Sequence, residues 1–172
     1  MSDPNTVIRT RDLPPDAGFC ARHPLNPKSE INFIPLSRQA GMQRCHLSMG
    51  RLAPGKESFA THAHARQEEF IFILEGTGRL ILGDQNIDVG PGDFVGFPTD
   101  GTPHNLANSG NTELVCLMGG EATDIEVARF SDAGKIMVVT GDTVRLFDED
   151  AAETLTMQEW IARATGPEKG GQ

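Results

Sequence analysis

Apolar and polar positions in this chain alternate with a period of two more often than with a helical period. Runs of this kind are Cys45–Leu52, Ser58–His64, Glu69–Leu74, Gly78–Leu82, Asn86–Val89, Asp93–Phe97, His104–Asn108 and Glu113–Met118. Between them stand Ala53-Pro54-Gly55, Glu75-Gly76, Gly83-Asp84-Gln85, Gly90-Pro91-Gly92, Thr99-Asp100-Gly101 and Asn108-Ser109-Gly110. Such segments reverse the chain, because Gly reaches positive φ and Pro fixes its own φ. The connections are too short for βαβ crossovers. The pattern therefore predicts an all-β, antiparallel sandwich or barrel. Two later runs, Ile136–Thr140 and Thr143–Phe147, predict a further hairpin around Gly141-Asp142.

The two ends read differently. Residues 1–30 carry Pro4, Pro14, Pro15, Pro24 and Pro27, which prevent continuous helix and predict an extended arm, either loose or laid across the body or a partner. The barrel is expected over residues 31–148, and a helix and tail over 149–172. In that last part Thr156 and Glu159 form a capping box ahead of Met157, Trp160, Ile161 and Ala164 at helical spacing. This predicts a short amphipathic helix at 157–165 whose apolar stripe docks on the barrel. Gly166-Pro167 would end it and leave a frayed tail.

At 172 residues, with 38% hydrophobic and 23% charged, the chain suits one domain with one real core. Lys and Arg total 15 against 24 Asp and Glu, a net charge of -9. That balance argues against nucleic acid or an anionic membrane as partner, since phosphate binding needs a positive field. Cys20, Cys45 and Cys116 are odd in number and form no C-x-x-C pair, so a reducing cytoplasm is expected. The longest apolar stretches, Phe70–Leu74 and Leu114–Met118, are too short for a membrane span, and the N-terminus shows no signal-peptide run.

The chemistry lies among five histidines, His23, His46, His62, His64 and His104. His62 and His64 stand two apart in a β-type run, which puts both imidazoles on one face about 7 Å apart at the backbone, close enough to converge on one ion. Glu69 and His104 each open a further run. Alternation points Glu69 with Ile71 and Ile73, and turns Glu68, the alternative carboxylate, with Phe70 and Phe72 to the other side. It likewise groups Leu106 and Asn108 with His104, and Ala60 with His62 and His64.

The framework around these residues reads Gly55-x(6)-His62-x-His64-x(4)-Glu69-x(6)-Gly76, then Gly92-x(5)-Pro98-x(2)-Gly101-x(2)-His104-x(3)-Asn108. These blocks resemble the paired motifs of the cupin superfamily over Gly55–Asn108. Each block carries one extra turn residue, before His62 and between Pro98 and Gly101. The chain looks most like small single-domain bacterial cupins of undefined activity. The resemblance implies a jelly-roll β-barrel and assigns His62, His64, Glu69 and His104 as ligands of one divalent transition metal. Three imidazoles and a carboxylate suit Mn, Fe, Co, Ni, Cu or Zn and leave positions open for a small-molecule ligand.

Phe70 and Phe72 would form an exposed apolar patch unless a homodimer interface or the arm covers them. His46 could face the pocket as a general acid or base, although a surface position is the preferred reading. Arg44 and Arg51 lie on or beside the strand before the motif. Arg66 and Arg79 could read an anionic substrate, although solvated positions are preferred. Cys45 and Cys116 are expected to be core residues, and Gly76, Gly78, Gly92 and Gly101 to form turns. The expected function is a metal-dependent isomerase, lyase or dioxygenase on a small oxygenated metabolite. Thr123-Asp124-Ile125 and Arg129-Phe130-Ser131-Asp132 resemble the tail of cupin phosphomannose isomerases, a faint lean towards sugar or sugar-phosphate isomerisation. The alternative is a non-catalytic metabolite-binding or sensor cupin; a storage role ranks third.

Overall fold

The computed structural model describes residues 6–14 and 16–165. Pro4, Pro15, the helix stop at Gly166-Pro167 and the tail lie outside the described residues. In chain order come β1 (Phe19–Ala21), β2 (Ile31–Pro35), a single helical turn α1 (Leu36–Gln39), β3 (Cys45–Leu52), β4 (Ala63–His64) and β5 (Glu69–Glu75). There follow β6 (Gly78–Leu82), β7 (Gln85–Val89), β8 (Phe94–Phe97), β9 (His104–Ala107) and β10 (Leu114–Glu121). The chain continues with β11 (Ile125–Phe130), β12 (Lys135–Thr140), β13 (Thr143–Asp148) and the helix α2 (Met157–Thr165).

One layer is a six-stranded sheet in the order β1-β2-β3-β10-β5-β8. The other is built from β7-β6-β9 and β13-β12-β11-β4, and the bridge between His62 and His104 sews these two pieces together. All strand pairs are antiparallel, giving a jelly-roll barrel. Alternation sorts its residues as the sequence implies: Ile71 and Ile73 are enclosed between the layers while Phe70 and Phe72 are half-buried on the outer side. At one end the interior is filled by Ile31, Leu52, Ile73, Leu106, Leu114 and Cys116. Each enclosed Leu or Ile of this kind contributes about 1.5–3 kcal/mol by leaving water. Gly76 turns the chain there at φ +79°, and a Cβ would stand 2.4 Å from the Glu113 carbonyl oxygen, so both conformation and space require glycine.

Several expectations need correction. The run 58–64 is strand only at Ala63–His64. Ahead of it the chain bends, because the Asn105 side chain accepts from both the Ser58 hydroxyl (2.9 Å) and the Phe59 amide (3.2 Å). Strand β11 was not expected as a separate element, yet it pairs with β12 along its whole length and with His64 and Ala63 of β4. Gly78 is a strand residue rather than a turn former; a Cβ there would lie 2.8 Å from Leu114 Cδ2.

The helix α2 has the expected bounds and its capping box, with Glu159 accepting from the Thr156 amide (2.8 Å) and the Thr156 hydroxyl accepting from the Glu159 amide (3.1 Å). Its apolar stripe does not dock on the barrel: Met157, Trp160 and Ile161 are all more than half exposed. Helical spacing specifies that a stripe exists but not what meets it.

The N-terminal segment is laid across the body. β1 pairs with β2 at the sheet edge, and Leu13 and Ala17 pack on the outer cluster of Ile34, Met49 and Val115. No helix among the described residues is long and apolar enough to cross a membrane.

Candidate metal centre

The end of the barrel away from the filled core is polar. His62 and His104 face each other across the bridge that joins the two pieces of the second layer, each accepting the other's amide at 3.1 and 2.8 Å. His64 follows two residues later on β4, and Glu69 begins β5 on the opposite layer. One ligand atom from each of His62, His64, Glu69 and His104 lies within 4.8 Å of all the others. His64 Nε2 is 3.2 Å and His104 Nε2 3.8 Å from Glu69 Oε2. Glu68 is exposed, so the strand phasing favours Glu69 over it as the inward carboxylate.

In two of the three rings a hydrogen bond fixes which nitrogen faces inward. His62 Nδ1 donates to the Ala60 carbonyl at 2.8 Å and His104 Nδ1 points to that of Thr102 at 3.4 Å, which leaves the Nε2 lone pairs turned into the site. His104 also stacks on Phe97, with ring centroids 3.9 Å apart. The nitrogens His64 Nε2 and His104 Nε2 are buried and have no hydrogen-bond partner. Native interiors pair such atoms because leaving them unpaired is costly. Three imidazoles and a carboxylate converging with unpartnered nitrogens fit a divalent transition ion.

Electrostatics agree with that donor set. Burial pushes His62 down to about 4, assisted by His104 and His64, so it stands neutral at physiological pH. Burial opposes ionisation of Glu69, but the neighbouring imidazoles of His104, His46 and His64 outweigh it and hold the carboxyl well below its usual range. Burial also works against charge on His64, and Glu69 and Glu126 overcome it and raise its pKa.

Two residues join the site through tertiary structure. His46, on β3, sits opposite Gly120, which is itself opposite Glu69. This register brings His46 Nε2 to 3.5 Å from Glu69 Oε1, while Nδ1 lies 3.0 Å from the Glu121 carbonyl. His46 thus lines a cavity beside Glu69 while its side chain stays partly exposed at the surface. Gly120 permits this close packing, since a Cβ there would meet the Glu68 carbonyl oxygen at 2.3 Å.

Glu126 on β11 was not anticipated. It is 5% exposed, accepts from the Ala65 and Arg66 amides at 3.0 and 3.3 Å, and stands 3.5 Å from His64 Nδ1. A carboxylate behind a ligating imidazole orients the ring and raises its basicity. No local motif marks Glu126; an inward position on a strand predicted for 125–130 would have been the available signal.

The remaining candidates lie elsewhere. Arg51 pairs with Glu113 and Arg79 with Asp88 on the surface, and Arg44 and Arg66 are exposed. Cys116 is fully buried, which pushes its thiol up to about 12; Cys45 is half-buried and Cys20 exposed. On the outer face the arm packs beside Leu74 and Leu117, whereas Phe94 is 66% exposed and stacks on Phe70.

Comparison with known proteins places this geometry in context. Residues 48–120 match the family model described as the cupin domain. A provisionally assigned sugar phosphate isomerase of Acidithiobacillus ferrooxidans superposes with a TM-score of 0.84 at 28% identity, over 88% of this chain and 97% of that one. A sugar phosphate isomerase from a cupin superfamily, from Silicibacter pomeroyi, gives 0.72 at 25% identity, over 83% and 92%. An oxalate-binding protein of Thermotoga maritima is 28% identical over 109 residues, 63% of this chain and 87% of that protein. An uncharacterized protein of Methanocaldococcus jannaschii is 39% identical over 56 residues, and the match spans 44% of that relative's length.

Proposed function

Starting from a chain that belongs to the cupin superfamily, we propose that it is a metal-dependent enzyme acting on a small oxygenated metabolite held in the barrel. The observation that carries this reading is the convergence of four ligand atoms with two buried, unpartnered imidazole nitrogens. His62, His64, Glu69 and His104 would hold one ion of Mn, Fe, Co, Ni, Cu or Zn. A bound divalent ion supplies Lewis acidity to a chelated oxygen.

The chain's own residues supply the rest. The apolar floor of the barrel excludes water from beneath the site. Glu126 orients His64, and His46 stands at the cavity wall as the proton-handling side chain. Isomerase, lyase and dioxygenase chemistry all suit this arrangement, and the sugar phosphate isomerase names of two similar structures support the first. A reducing cytoplasm and a homodimer that covers Phe70 and Phe72, with the exposed Phe94 beside Phe70, belong to the same proposal.

The similarity to an oxalate-binding protein supports a second reading, a binding module without turnover. It uses the same ligand set and makes His46 dispensable.

Metal content per chain, measured by mass spectrometry on untagged wild type beside Glu69→Ala and Glu68→Ala, tests the site. About one equivalent is expected in the wild type and in Glu68→Ala, and none in Glu69→Ala. Folded wild type that holds no metal and takes up none on titration overturns the reading. Retained ligand binding in His46→Gln with no turnover in either protein would favour the binding module.

A further inference from the structure

Two of the cavities that reach the candidate ligands, one at Glu69 and one at His62, His64 and Glu69, have an unusual wall. One, of about 250 Å³, is bounded by Phe19, Phe33, Phe59 and Met118, with His46 and Ser48 as polar members. The other, of about 220 Å³, adds His23, Phe130 and Met137 around His62, His64 and Glu69. They share Phe59 and Glu69. The rings form a continuous series from surface to site. Phe19, 57% exposed, lies 6.0 Å from Phe33; Phe33 stacks on Phe59 at 5.6 Å; and Phe59 meets His62 edge-on at 5.9 Å. On the other side His62 faces Phe130 at 5.7 Å, and Phe130 faces His23 at 4.9 Å.

Charge is equally selective. Neither of these two cavities is lined by Lys or Arg, and the one arginine at a cavity that also reaches Glu69 is Arg44, in a third cavity that lacks the other candidate ligands. Arg51, Arg79, Arg129 and Lys135 are each paired with a surface carboxylate. Burial lowers the pKa of His23, so that ring adds no positive charge at neutral pH. Glu69 and the buried Glu126 make the site's own fixed charge negative. A phosphate dianion needs an Arg, a Lys or a nest of amides to balance it, and these walls present none of the cations. They also carry few hydrogen-bonding groups for the many hydroxyls of a sugar. Aromatic walls of this kind reward a flat ring that stacks in offset or edge-on contact.

We propose that the pocket takes a flat aromatic ligand that chelates the ion through oxygen and bears no phosphate. This inference rests on the metal-centre reading and names its ligand class. It separates this chain from the sugar phosphate class named for two of its structural neighbours.

The test uses cobalt-loaded protein and two probes with one chelating head, benzohydroxamate and acetohydroxamate, followed by the cobalt absorption spectrum. After correction for their affinities for free cobalt, benzohydroxamate is expected to bind at least about tenfold tighter, from ring burial and stacking. Phe59→Leu and the exposed Phe19→Ala should each shrink that ratio, with acetohydroxamate affinity unchanged. Phe19→Ala keeps the test open if Phe59→Leu fails to fold. In competition, fructose 6-phosphate should bind no better than fructose.

Equal binding of the two hydroxamates, a ratio untouched by either variant, or a clear gain from the phosphate overturns the ligand class and leaves the metal centre standing. A cobalt spectrum that neither hydroxamate perturbs also overturns the ligand class alone, whereas a chain that binds no cobalt overturns the metal centre and this proposal together.

Discussion

Asn108 and His104 are four residues apart, and both are almost fully enclosed, 2% and 5% exposed. Asn108 closes the filled end of the barrel. Its amide donates to the Leu52 and Thr112 carbonyls, both at 2.8 Å, and its carbonyl accepts from the Gly110 amide at 2.9 Å. His104 opens the cavity end, and its Nε2 has no partner. The same two layers bury both groups, yet one is satisfied from within the chain and the other keeps an unpaired nitrogen among the candidate ligands. Buried polarity in this fold thus divides by completeness: a finished network holds the loops together, and an unfinished one marks the site.

The largest expected effect breaks the finished network. Asn108→Ala leaves two carbonyls and an amide unpaired in the interior and should cost about 4 kcal/mol of stability, read by denaturant unfolding. Metal affinity of the remaining folded protein should be unchanged; a parallel loss would mean the two ends are one cooperative unit.

His104→Ala should do the reverse. Metal affinity falls by about 100-fold, roughly a quarter of the free energy of a four-ligand site. Stability of the metal-free protein moves by less than about 1 kcal/mol, because the lost stack on Phe97 is opposed by removal of an unpaired buried nitrogen. Collapse of the far-UV spectrum in metal-free His104→Ala would make the centre structural.

A smaller effect belongs to α2, which lies outside both networks. The Glu159 carboxyl is held below its usual pKa by hydrogen bonds from the Thr156 amide and hydroxyl. A depressed folded pKa means that the cap is fully present above the ordinary carboxylate pKa and is lost as pH falls through the lower folded value. Amide signals of Thr156–Trp160 should therefore shift on mild acidification, and Glu159→Gln should remove that shift. Since no α2 residue is buried, neither end of the barrel should respond.

The smallest expected effect is none at all. Cys116 is enclosed in the filled end with its thiol pushed up to about 12, so a thiol reagent at pH 8 should modify Cys20 and leave Cys116 untouched until the protein unfolds. Ready modification of native Cys116 would show that the filled end opens easily.

Much of the site was legible because its signals are local. His62 and His64 share a face through strand alternation, Glu69 is separated from Glu68 by the same period, and the glycine and proline framework set where the strands begin. Reading β3 and β6 required nothing beyond hydrophobic alternation between turns, and the capping box marked the start of α2. Ile125–Phe130 is less legible: only its ends fall in the two short segments that resemble a family tail, and nothing local marks its inward Glu126.

Periodicity along neighbouring residues therefore determined the strand pattern and the inward faces, while the set of four candidate ligands was implied by the resemblance to cupins. Tertiary structure decided what no local period encodes. The register of β3 on β10 and of β10 on β5 turned His46 towards Glu69. Pairing of β11 with β4 set Glu126 behind His64. The aromatic wall gathers Phe19, Phe33, Phe59 and Phe130 from four separate segments, and α2 kept its stripe in solvent although its spacing would have suited a docked helix. Alternation fixes which way a side chain points from its own strand, whereas what it meets depends on partners tens of residues away, and those are chosen when the whole core packs at once.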